Sequence, residues 1–186
     1  MSKTIEICPG CLACYNQGRL TFYWFRITKD TTLEEIETAL DIEEIHKRAK
    51  TPYACNGDEV HIQDNDFGGG EYMLPEEIFG IVQLLKLVPD FDYIRAYKEC
   101  YGAGEELDIN NEPSEAFKEF ADCVLVFNSI QEEEEYLDEY FCEVYQVDDG
   151  QMYANYIDWY RVREDMRIDM NTAQIGSRTF LWRNDY

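Results

Sequence analysis

Basic side chains are scarce in this sequence: 16 Lys and Arg stand against 39 Asp and Glu in 186 residues, a formal net charge of −23. Sites for nucleic acid are built on basic stripes that neutralise phosphates. The only clusters here are Lys47, Arg48 and Lys50, and Arg161, Arg163 and Arg167. Each sits among acids that it is expected to neutralise, so the sign of the field disfavours direct binding of nucleic acid and none is expected. Histidine is scarcer still, with His46 in a charged helical tail and His61 in an alternating strand. Nucleophilic and acid–base sites draw on a positioned base, most often His, and both histidines read as structural or exposed. Walker A, dinucleotide-glycine and His-Glu-x-x-His patterns are missing, so no enzyme is expected and no cofactor is assigned. Gly68 to Gly70, flanked by acids and followed by no Lys, is a loop rather than a phosphate cradle. No apolar run approaches the ~18 residues of a spanning helix, and Met1 to Gly10 lacks the apolar stretch of a secretion signal. A cytoplasmic chain without membrane contact is expected.

Seven cysteines, an odd number with no secretion signal, point to reduced thiols rather than a disulfide framework. Cys8-Pro-Gly-Cys11-Leu-Ala-Cys14 has the spacing of the first three ligands of a bacterial ferredoxin run. Gly18 stands at the fourth position, and no second Cys pair or His cluster nearby completes a zinc set, although Cys55 could join across the sheet. Small apolar cysteines packed in a tight loop account for the segment, and a metal on Cys8, Cys11 and Cys14 is kept as a rival reading only. Asp64-Asn65-Asp66 opens like a calcium loop, but Gly68 replaces the third ligand and Pro75 the bidentate Glu.

Core material is plentiful. Hydrophobic residues make up 45% and aromatics 15%, too much for a disordered polyanion. The charge is concentrated: Glu99 to Asp149 holds 17 Asp and Glu against Lys118 alone, an excess of 16. Self-repulsion on this scale destabilises a compact state, which implies a use beyond solubility.

The N-terminal third reads as strand, strand, helix, strand. Thr4 to Cys8 and Leu20 to Ile27 form a hairpin around Asn16-Gln17-Gly18. Thr32 and Glu35 frame a capping box, and Glu59 to Gln63 returns to the sheet. After loop chemistry at Asp64 to Gly70 come helices, one from Pro75 with the stripe Ile78, Ile81, Val82, Leu85 and Val88, one from Asp90, and a short one over Ser114 to Ala121. The last third opens with a strand over Cys123 to Phe127. Ser129 then caps a helix burying Ile130, Leu137, Phe141 and Val144 and exposing Glu132, Glu135, Asp138 and Glu139. Gln151 to Arg161 reads as a further helix and Thr179 to Arg183 as a final strand. The expected class is α+β, with units over 1–68 (antiparallel sheet plus helix), 69–120 (helical) and 121–186 (α+β).

Duplex DNA carries one charge per ≈ 1.7 Å of axis, so −23 corresponds to roughly 39 Å of duplex, and a symmetric dimer to roughly 78 Å. A protein displaying carboxylates at such intervals could enter a basic DNA-binding cleft. An elongated chain of small domains would fit a long groove better than a sphere.

Cys11 to Leu20 (Cys-Leu-Ala-Cys-Tyr-Asn-Gln-Gly-Arg-Leu), Trp24-Phe25, Val60 to Asp64, Asn155-Tyr156-Ile157-Asp158 and Arg163 to Ile168 together resemble the ArdA antirestriction proteins in order and spacing. The resemblance runs nearly end to end, with Cys8 and Cys14 as additions and a divergent tail after Phe180. It implies an elongated three-domain α+β homodimer, joined through its C-terminal domain, that mimics bent B-form DNA. Such proteins, carried by conjugative elements and phages, occupy the DNA site of the specificity and methyltransferase subunits of type I restriction-modification enzymes. By position, Gln151 to Tyr160 would be the dimer segment, with Met152, Tyr153, Tyr156, Trp159 and Tyr160 at the contact. The phosphate-mimicking candidates come from the acidic pattern itself: Glu34, Glu37, Glu76, Glu77, Glu105, Glu106, Asp108, Glu132, Glu135, Asp138, Glu139 and Asp158. The rivals are a generic acidic domain that binds another basic DNA-binding protein, and a cysteine-based metal protein.

Overall fold

The computed structural model describes residues 4–51, 55–102, 104–147 and 156–183. Strand β1 (Ile5–Cys11) is the centre of an antiparallel sheet, between β2 (Phe25–Ile27) and β3 (Val60–Asn65). Pro9 cannot donate to a ladder, and the β1–β3 register shifts between Ile7 and Pro9. The expected hairpin is interrupted. The chain leaves β1 into helix α1 (Leu12–Asn16) before turning at Gly18, and only the last three residues of Leu20 to Ile27 join the sheet as a strand. The Cys11 side chain accepts from the Cys14 N–H and starts this helix, a cap that a strand reading does not foresee.

Helix α2 (Leu33–Ala39) has the expected capping box, with the Thr32 hydroxyl accepting from the Glu35 N–H and the Glu35 carboxylate accepting from the Thr32 N–H. Asp41 caps α3 (Ile42–Arg48) by accepting from the Glu43 and Glu44 N–H groups. Pro75 opens α4 (Pro75–Leu87), and the predicted stripe Ile78, Ile81, Val82, Leu85 and Val88 is buried throughout. Asp90 caps α5 (Phe91–Tyr101), and Ser114 caps α6 (Glu115–Cys123).

The second sheet has the order β4-β6-β5, with β4 (Leu125–Phe127), β5 (Met170–Ile175) and β6 (Arg178–Arg183) antiparallel. Strand β5 escapes a pattern reading because five of its six residues are at least partly exposed, and Ala173 alone is buried. Gly176, at φ +63°, is the first central residue of the two-residue turn into β6, where a type II′ hairpin turn requires a positive φ. Helix α7 (Ile130–Tyr145) follows Ser129 as expected, but the Glu132 carboxylate accepts from the Asn128 N–H instead of closing a box on Ser129. The helix expected over Gln151 to Arg161 is corrected to α8 (Trp159–Ile168), capped by Asp158. Residues 151–155 of that expectation lie outside the described residues.

Most of the buried apolar side chains form one cluster, from Ile5, Ile7, Ile27 and Ile36 through α4 and α5 to Phe180 and Trp182, while Ile45, Leu137 and Leu181 are buried outside it. It runs unbroken past residues 68 and 120. Its centre is aromatic: the Tyr97 ring lies 5.1 Å from Phe117 and 5.2 Å from Phe120, and Phe120 stands edge-on to Trp182 at 4.8 Å. Arg178 pins the β5–β6 turn to the start of α5 through Asp90 (2.9 Å) and Asp92 (3.0 Å). Among the described residues, no helix is long and apolar enough to cross a membrane.

Candidate acidic interface

Carboxylates gather at helix N-termini because the macrodipole and unpaired N–H groups favour negative charge there, and this places several on the surface. Glu34 and Glu37 are exposed on α2. Glu37 also borders a shallow cleft with Thr38, Asp41, Glu43, Glu44 and Lys47. Asp41 and Glu43 were not among the sequence candidates, because the break between α2 and α3 that gathers them has no Pro or Gly to announce it. On α4, Glu76 is exposed, while Glu77 turns back to accept the Leu74 N–H at 2.7 Å. Glu105 and Asp108 are exposed, and Asp108 also closes its loop by accepting from the Asn110 and Glu112 N–H groups.

Glu106 is the opposite case. It is 2% exposed, with its carboxylate 2.9 Å from the Lys98 ammonium and accepting the Gly104 N–H. Its charge is neutralised inside the fold.

Helix α7 divides its acids in two. Glu132, Glu135 and Glu139 are exposed, whereas α8 lies against the face between them. Arg163 and Arg167, one turn apart, reach across in register. Arg163 Nε meets Asp138 Oδ1 at 2.7 Å, and its Nη1 meets Glu134 at 2.8 Å. Arg167 Nε meets Glu133 at 3.0 Å, and its Nη1 meets Glu164 at 2.7 Å. The hydrogen bonds that Arg163 donates to Asp138 hold its guanidinium more firmly charged than usual, overcoming partial desolvation. Two expectations are corrected here. Asp138 is clamped rather than solvated, and the apolar pair Ile130 and Val144 is exposed while Glu133 is buried. A helical wheel places apolar residues inward, but it cannot see two arginines 25 and 34 residues downstream.

Asp158 is exposed and caps α8 through the Arg161 N–H. Of the candidate dimer residues, Met152 and Tyr153 lie outside the described residues. Tyr156 and Tyr160 are 84% and 75% exposed, and Trp159 is half-buried edge-on to Phe141. Val144, Tyr145 and Ile168 on the same two helices are exposed as well.

A second constellation lies at the end of β1. Cys11 and Cys14 converge with His46 of α3 and Cys55, their ligand atoms all within 4.8 Å of one another. Cys8, buried nearby, is not part of it. Burial, and secondarily the charge of Asp64, pushes the Cys8 thiol up to about 11. Burial likewise carries the Cys11 thiol to about 11, while the Gly57 N–H lowers that of Cys55. The Cys-x-x-Cys spacing was a visible signal; His46, read as part of a charged tail, was missed.

The family model described as antirestriction protein (ArdA) matches residues 7–178, nearly the whole chain. No curated protein matches it.

Proposed function

The chain belongs to the ArdA family of antirestriction proteins, and on that premise we propose that it imitates a B-form duplex and inhibits type I restriction-modification enzymes by occupying their DNA-binding site. The observation that carries this reading is the division of the carboxylates. After Lys98, Arg163 and Arg167 have taken their partners, Glu34, Glu37, Glu76, Glu105, Asp108, Glu132, Glu135, Glu139 and Asp158 remain exposed on helices and an ordered loop. Glu77 stands at the edge of this set, and Asp138 and Glu106 fall outside it.

Fixed anions at folded positions present a basic cleft with a charge pattern that needs little further ordering, which a flexible polyanion cannot offer. A single exposed ion pair contributes about 0.2–1 kcal/mol, so the affinity resides in the array. The same field steers the encounter with a positively charged DNA site. In this reading three small units, 1–68, 69–120 and 121–186, lie in a row along one continuous core. Two chains join through the segment that carries Tyr156, Trp159 and Tyr160, doubling the array. The targets are the specificity and methyltransferase subunits, met in the cytoplasm of a cell that a conjugative element or phage has entered.

The test is a titration into a type I enzyme bound to labelled duplex, beside polyglutamate of matched charge. Displacement near stoichiometry, absent with the polymer and weakened by salt, is the expected result. Displacement no better than the polymer's would leave an acidic domain with another partner and overturn the proposal.

A further inference from the structure

We propose that Cys11, Cys14, His46 and Cys55 form a structural zinc site that closes the N-terminal sheet unit. The four residues come from four places in the chain: the end of β1, helix α1, the last turn of α3, and the segment before β3. Packing alone has no reason to bring three thiols and an imidazole from separate elements to one point. Two of their six mutual distances are close to the edges of a zinc tetrahedron, and all six lie within 4.8 Å. With Zn–S near 2.3 Å and Zn–N near 2.0–2.1 Å, two bound sulfurs lie about 3.8 Å apart, and a sulfur and a nitrogen about 3.6 Å. The Cys11 and Cys55 sulfurs are 3.6 Å apart, and Cys14 Sγ lies 3.8 Å from His46 Nε2.

The surroundings suit thiolates. The Cys14 N–H points at Cys11 Sγ (3.4 Å) and the Gly57 N–H at Cys55 Sγ (3.3 Å), the outer hydrogen bonds that orient metal ligands. Gly57 is required for close approach, because a Cβ there would stand 2.3 Å from that of Ala13, with the Cys55 and Cys11 sulfurs at 3.4 and 3.5 Å. The chemistry selects the ion. Three sulfurs and one imidazole favour zinc over calcium or magnesium, which take oxygen ligands, and the ligand atoms are too close together to span a multi-iron cluster. Four protein ligands leave no open position, the mark of a structural rather than a catalytic zinc. On entry of Zn²⁺ the three thiols release their protons to solvent, four metal–ligand bonds form, and the site carries a net charge of −1 with no change of redox state.

The inference is independent of the inhibitory reading. Its test uses the full chain, reduced and stripped of metal, titrated with Co²⁺ as a spectroscopic stand-in and then with Zn²⁺. One equivalent of Co²⁺ with tetrahedral d–d and thiolate charge-transfer bands, displaced by Zn²⁺ with a rise in Tm, is expected. Cys55→Ser and Cys14→Ser should lose at least about 100-fold in affinity, more than loss of an outer-shell partner costs, and Cys8→Ser should retain one equivalent. Absence of saturable binding by the native chain, an octahedral cobalt spectrum, or a Cys11–Cys55 disulfide formed in preference to metal binding would each overturn the proposal.

Discussion

The two sheets share one plan and are secured by different means. Each has three antiparallel strands around a central one, β1 in the first and β6 in the second. The first buries aliphatic side chains, Ile5, Ile7, Ile27 and Ile62, leaves Glu34 and Glu37 of its helix α2 facing solvent, and gathers sulfur and imidazole at one corner. The second rests on aromatic rings and is bordered by guanidinium clamps, Arg163 and Arg167 under α7 and Arg178 at the turn into β6. Density of acids in the sequence is therefore a poor guide to charge on the surface. Of the four consecutive Glu at 132 to 135, the middle two are tied to arginines and the outer two remain open.

The contrast breaks hardest at the clamps. Arg167→Ala leaves the Glu133 carboxylate, 3% exposed, without its counter-charge, and stranding one member of a buried pair costs about 3–5 kcal/mol. Urea unfolding should show this loss, and adding Glu133→Leu should recover much of it. Smaller and equal on the two sides are the caps. Thr32→Ala on α2 and Ser129→Ala on α7 each remove a hydroxyl that accepts a helix N–H, at about 1 kcal/mol apiece by thermal unfolding.

Acid distinguishes the first sheet. Burial, only partly opposed by Glu71 and by a hydrogen bond to the Gly10 backbone, keeps the His61 imidazole below its ordinary value. The unfolded chain then binds its proton more readily, so stability contributed by neutral His61 is present above about pH 6.5 and falls as the pH drops toward the folded value. His61→Gln should flatten that part of the stability–pH curve. The smallest effects belong to the open carboxylates taken singly. Glu34→Gln or Glu135→Gln should change stability by no more than about 0.5 kcal/mol and inhibition only mildly.

How much of this was legible depended on where the information sits. Caps and stripes are local, so Thr32, Pro75 and Ser114 marked their helices, and the stripe of α4 is buried as its spacing predicts. Strand β5 hid because its outward face is polar, and α1 because its cap is a cysteine. The acidic character of the surface was visible in composition, and most of the carboxylates singled out there are exposed. Most exceptions come from partners on other elements, Lys98 for Glu106, Arg163 for Asp138 and His46 for the cysteines of β1 and α1, while Asp41 and Glu43 were hidden by the unmarked break between α2 and α3.

On this reading open carboxylates act together and clamped ones do not. The most direct measurement is the DNA-displacement titration repeated with Glu34, Glu37, Glu135 and Glu139 all changed to Gln, with the Tm of each protein taken alongside. The fourfold variant is expected to melt with the native chain and no longer displace the duplex, while each single change displaces it nearly as well as the native chain. A fourfold variant that still displaces DNA at native concentrations, or a single change that abolishes displacement without unfolding the protein, would contradict it.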